Sequence, residues 1–227
     1  MNNPRRVRLL ALALLLAFGG AQAQDPLPAP ASDTVAVDPA AAAYTALQAR
    51  WAEIKYGLPG PAQAAAFEAL MREADAAVAA HPDDPRVLTW RGIVLSTWAG
   101  AKGGLGALSL CKRAKADFEA ALAIDETALA GSAHTSLGSL YYQVPGWPVG
   151  FGDDDKAREH LQHGLRLNPD GIDSNYFWAD FLHEEGDDAA AAVALARALA
   201  APARPGRERA DEGRRDEIRV LKAQLHG

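Results

Sequence analysis

Residues 157–202 read AREHLQHGLRLNPDGIDSNYFWADFLHEEGDDAAAAVALARALAAP, and the spacing inside them decides the fold. Ala157, Leu161 and Gly164 set a small, bulky, small rhythm at helical intervals, and Ala191, Leu195 and Ala198 repeat it. Between them lies a turn at Asn168-Pro169, then a segment with Asn175, Trp178, Ala179 and Leu182 at helical spacing. The step from Leu165 to Leu199 matches the period of roughly 34 residues of tetratricopeptide repeats. Two antiparallel helices can touch closely only where Gly or Ala leaves room, and the bulky residues then fill the seam to the next pair.

The rhythm extends towards the N-terminus. Ala114, Phe118 and Ala121 carry it in an earlier second helix, while Leu88, Arg91, Gly92 and Leu95, then His134, Leu137, Gly138 and Tyr141, carry the first-helix pattern. Small-plus-aliphatic pairs recur at Ala77-Val78, Ala121-Leu122, Gly164-Leu165 and Ala198-Leu199, each followed by a Pro or an acidic turn. The two earlier intervals are longer by about ten residues, which places insertions at residues 100–106 and 144–152. Asp38-Pro39 reads as an N-cap followed by a first-turn proline, opening a helix that ends near Gly57; a second runs from Gln63 to Ala80. The expected fold is an all-α, tetratricopeptide-like solenoid of about four helix pairs over residues 39–202, with a charged capping helix in residues 203–227. The Arg and Glu richness of that last segment reads as a solvated face.

Composition narrows the function. The chain has 227 residues, 49% of them hydrophobic, and a formal charge of -6. It lacks the basic stripe that phosphate binding demands, so no nucleic-acid partner is expected. Arg5, Arg6 and Arg8 precede an apolar run from Leu9 to Phe18 and the small residues Ala21 and Ala23. That order predicts a signal peptide over residues 1–23, a Pro/Ala-rich disordered linker over 24–38, and a periplasmic location. Cys111 is the lone cysteine, so no intramolecular disulfide forms and no lipid-acceptor Cys follows the expected cleavage site.

Catalytic patterns are weak, and no enzymatic activity, cofactor or metal is expected. His160 and His163 share a helical face, but their spacing supplies no third ligand and the face reads as solvent-facing. Gly100, Gly103, Gly104 and Gly106 around Lys102 lack the Gly-Lys-Ser/Thr of a phosphate loop. Asp153, Asp154 and Asp155 read as an N-cap with dipole compensation. The insertion PGWPVGFG, residues 145–152, is different, because two prolines, three glycines and two large aromatics make a costly loop unless the rings pack or meet a ligand.

PGWPVGFGDDDKA (145–157), LNPDGIDSNYFWADFL (167–182) and RPGRERADEGRRDEI (204–218) together resemble the T-component of tripartite ATP-independent periplasmic (TRAP) transporters. The resemblance is most specific from Tyr141 to Ile218. It implies a helical, homo-oligomeric periplasmic protein with a ligand-accessible pore that cooperates with a solute-binding protein. From the repeat spacing, the ligand-binding residues expected on the concave face are Thr89, Ser96, Thr135, Ser139, Tyr142, Tyr176 and Asp180, joined by Trp147 and Phe151 of the aromatic loop. Such a surface suits a small polar ligand, and the alternative is a general cell-envelope scaffold for protein partners.

Overall fold

The computed structural model describes residues 38–225, so the expected signal peptide and all of the linker except Asp38 lie outside the described residues. The described chain is all-helical. Its elements are α1 (Pro39–Gly57), α2 (Gly60–Ala80), α3 (Pro85–Lys102), α4 (Ala107–Ile124), α5 (Ser132–Gln143), α6 (Asp154–Leu167), α7 (Ile172–Glu184), α8 (Asp188–Ala200) and α9 (Glu208–Gln224). None of them is long and apolar enough to cross a membrane.

Local chemistry fixes several of these boundaries. Asp38 accepts hydrogen bonds from the Ala40 and Ala41 amides and Asp84 from those of Arg86 and Val87, each just before a proline at the first helical position. Asp153 and Asp187 cap α6 and α8 in the same way. A side-chain oxygen here satisfies amides that have no partner within the helix. Asp154 and Asp155 then place negative charge on the first turn of α6, where the helix dipole favours it.

Each of α3, α5 and α7 packs most extensively on the helix that follows it. A Cβ on Gly92 would lie 2.5 Å from the Phe118 ring, and one on Gly138 would lie 2.7 Å from Leu161. These contacts are the reason for the small residues in the repeating rhythm, since a methyl group there would drive the helices apart. Arg91, which the spacing places at a bulky seam position, instead sends its guanidinium to the buried Asp117 of α4, with contacts of 2.8 and 2.6 Å.

The odd-numbered helices form an inner layer in which α1 touches α3, α3 touches α5, and α5 touches α7. The last helix then does more than cover an end: α9 packs on α7 and α8 and also on α1, closing the inner layer into a ring. Three polar contacts mark the closure. Arg209 bonds Glu53 at 2.7 Å, Lys55 pairs with Glu217 at 3.3 Å, and the Tyr56 hydroxyl donates to Glu217 at 3.3 Å. The expected solvated face of this segment is therefore corrected. Ala210, Asp211, Gly213, Arg214, Ile218 and Leu221 are all buried, because this stripe faces the other helices rather than water.

Candidate functional site

Two adjoining chambers, of about 870 and 300 Å³ and each partly open to the outside, lie against the inner layer and α9. Trp51, Ser96, Thr97, Ser139, Phe177 and Arg214 line both and form the wall they share. The Trp51 indole donates to the Thr97 hydroxyl at 2.9 Å and ties α1 to α3, and the same hydroxyl donates to the Ile93 carbonyl of its own helix at 2.8 Å. Volumes in this range accommodate small organic molecules.

The larger chamber is balanced in charge: Lys55 and Arg214 face it together with Asp180 and Glu217. Gln143 and Tyr176 add polar groups, and Leu108, Leu140 and Val144 supply apolar wall. Burial pushes the Tyr176 phenol up to about 12, so it stays protonated and can donate. The smaller chamber is different. Arg204, Arg207 and Arg214 line it against the single carboxylate of Asp173, with the hydroxyls of Ser132, Thr135, Ser136 and Ser174 around them.

Two of those arginines are spoken for. Arg214 bonds Asp173 at 2.8 Å and Glu217 at 2.6 Å, and it lies over the rings of Tyr176 and Phe177, at 4.3 and 4.6 Å from their centroids. Arg204 bonds Asp173 and Asp211, both at 2.7 Å. Burial opposes the charge on Asp173, but Arg214 and Arg204 outweigh it and hold the carboxyl below its usual range. Arg207 is left over. Its Nε is buried without a hydrogen-bond partner among the described residues, and so is the indole Nε1 of Trp90, whose ring lies 5.3 Å from the guanidinium. Burial, then the neighbouring Arg204, pull the Arg207 pKa down and outweigh the attraction of Asp173 and Asp211, neither of which pairs directly with it. Buried donors without acceptors are costly, and both of these belong to residues that line the smaller chamber.

The structure brings together Ser96, Thr135, Ser139, Tyr176 and Asp180 of the residues expected from the sequence. Four others lie elsewhere. Thr89 is fully buried and its hydroxyl donates to the Pro85 carbonyl one turn back, so it faces its own helix. Tyr142 sits behind the wall, where its hydroxyl donates to Asp180 at 2.6 Å and positions that carboxylate. Trp147 is 90% exposed and neither packs nor lines a chamber. Phe151 packs edge-on against Tyr141, 5.9 Å between centroids, with the Lys115 ammonium of α4 6.0 Å from its ring. The loop still contributes through its backbone neighbours, because Pro145 and Val149 line the larger chamber.

Spacing alone missed Trp51, Trp90, Arg204, Arg207, Arg214 and Glu217. The available signal was a charged residue, Arg214, set on the same helical face as Ala210, Ile218 and Leu221. The histidine face is also corrected: His160 and His163 are half-buried, with the His163 ring stacked on His134 of α5 and the His160 ring tilted against it. The chain matches no protein-family model and no curated protein.

Proposed function

We propose that this is a periplasmic, tetratricopeptide-like solenoid protein that binds a small polar ligand bearing an anionic group, as an accessory of a TRAP-type transport system. The observation that carries the ligand class is the pair of unpartnered donors, Arg207 Nε and the Trp90 indole Nε1, on residues that line the smaller chamber. A carboxylate or phosphate entering that chamber would add acceptors and negative charge beside an arginine that makes no direct ion pair among the described residues. The chamber walls are made by helices, so little ordering entropy opposes binding. The repeating small, bulky, small positions support the solenoid reading, and the TRAP assignment rests on the resemblance of residues 141–218.

A general envelope scaffold is the second reading. Val149, which lines the larger chamber, and the nearby Trp147 are 65% and 90% exposed and favour contact with a protein. Native mass spectrometry of protein purified from its envelope extract without unfolding separates the two. The expected result is a retained small anionic molecule on the wild type, absent from Arg207→Ala, with helicity unchanged. Recovery of protein partners alone, with no retained small molecule on the wild type, would favour the scaffold.

A further inference from the structure

A second cluster lies around the connection between α4 and α5. Glu126 sits in the turn after α4, His134 on α5 and His163 on α6, and one ligand atom from each lies within 4.8 Å of the others. The Nε2 atoms of His134 and His163 are 3.6 and 3.7 Å from the same Glu126 carboxylate oxygen. His134 is only 8% exposed on its side chain, and its Nε2 has no hydrogen-bond partner among the described residues. Its other nitrogen, Nδ1, is 2.9 Å from Nδ1 of His160.

Tautomer logic sharpens this arrangement. When His134 Nδ1–H donates to His160, the His134 Nε2 lone pair points towards a carboxylate, and two acceptors face each other with no proton between them. In the other tautomer the Nε2–H is too far from Glu126, at 3.6 Å, for a good bond. A cation resolves the first case. In a tetrahedral zinc site with bonds of about 2.0–2.1 Å, neighbouring ligand atoms are roughly 3.4 Å apart, so the two histidine–Glu126 separations need only a small contraction.

We propose that Glu126, His134 and His163 form a binding site for a first-row transition metal, matched best by zinc, with His160 as a positioning residue acting through His134 Nδ1. Two imidazoles and one carboxylate suit zinc and its neighbours rather than calcium or magnesium, which prefer all-oxygen shells. The hydrogen bond from His134 to a second residue is the usual way a ligating imidazole is oriented. The His134 and His163 rings are stacked 4.0 Å apart at 8°, so binding turns the partly exposed His163 ring until its lone pair converges on the metal.

The site would also have a structural consequence, independent of the ligand proposed for the chambers. Between Glu126 and His134 the chain passes through Leu129, Ala130 and Gly131 with φ of 51°, 52° and 74°. For Leu and Ala this is a strained conformation that the surroundings must hold in place. Leu129, Ala130 and Ser132 line the smaller chamber, so the metal would tie that wall to α6.

The test uses full-length protein stripped with a chelator, titrated with Zn²⁺ against a chromophoric competitor and with Co²⁺ by visible absorption. The expected result is one equivalent bound, with the ligand-field bands of four-coordinate Co²⁺. Affinity should fall by more than about 100-fold in His163→Ala and Glu126→Gln, and by about 10- to 100-fold in His160→Phe. His163 and Glu126 are partly exposed, so these variants should fold, and circular dichroism checks that they do. His183→Ala, at an ion pair with Asp188, should leave binding unchanged. Less than one equivalent on the wild type, or one equivalent whose affinity survives both His163→Ala and Glu126→Gln, would overturn the proposal.

Discussion

Replacing Arg214 with alanine is expected to lower the melting temperature by roughly 10 °C, the largest loss of any single charged side chain in the ring. The guanidinium is 9% exposed and bridges Asp173 of α7 to Glu217 of α9. It also fills the space over Tyr176 and Phe177, so its removal takes away packing and leaves carboxylates short of a partner. Breaking a buried pair costs about 3–5 kcal/mol, and the lower end applies here because Asp173 keeps Arg204 and Glu217 keeps Lys55. Arg214→Lys should recover less than half the loss, since an ammonium cannot reproduce a planar fork stacked on two rings. Thermal unfolding followed by circular dichroism measures both variants. A shift of only a degree or two for Arg214→Ala would mean that the network is peripheral to the α7–α9 junction.

The second large effect concerns ring closure. Gly213 lies inside α9, where glycine disfavours the helix by about 1 kcal/mol relative to alanine. At an exposed site Gly→Ala would therefore stabilise. Here a Cβ would lie 2.2 Å from the Tyr56 ring, so Gly213→Leu is expected to push α9 off α1. Loss of that contact also removes the Arg209–Glu53, Lys55–Glu217 and Tyr56–Glu217 interactions. Hydrogen–deuterium exchange should then quicken across residues 208–224 while α3 to α6 keep their protection. Equal protection in the variant and the wild type would show that α9 does not depend on Tyr56 for its place.

Much of the helical framework was legible because its signals are local. Asp38-Pro39 and Asp84-Pro85 announce helix starts through capping chemistry, and Gly92 and Gly138 mark close approach because no larger residue fits. The inner wall was partly legible, since Ser96, Ser139 and Asp180 follow from counting turns along each first helix. Counting fails where a side chain turns away, as Thr89 does towards Pro85. It also fails where a loop sends its largest ring outward, as at Trp147. Closure by α9 joins residues 53–56 to 209–217, and no local spacing encodes a contact of that range. The charges of α9 look solvated for the same reason: the partner of Arg214 is Asp173, 41 residues away, while Arg204 must fold back on α9 before it meets Asp211. The histidine cluster likewise needs three separate elements before it becomes visible.

The central claim is that the closed ring holds an anionic ligand against Arg207 and Trp90. A crystal structure of protein purified without refolding tests it most directly. The account predicts density in the smaller chamber for a small anion within hydrogen-bond distance of Arg207 Nε and Trp90 Nε1, with α9 docked on α1. A chamber holding only water, with the Arg207 guanidinium paired to a carboxylate of the chain itself, would contradict it.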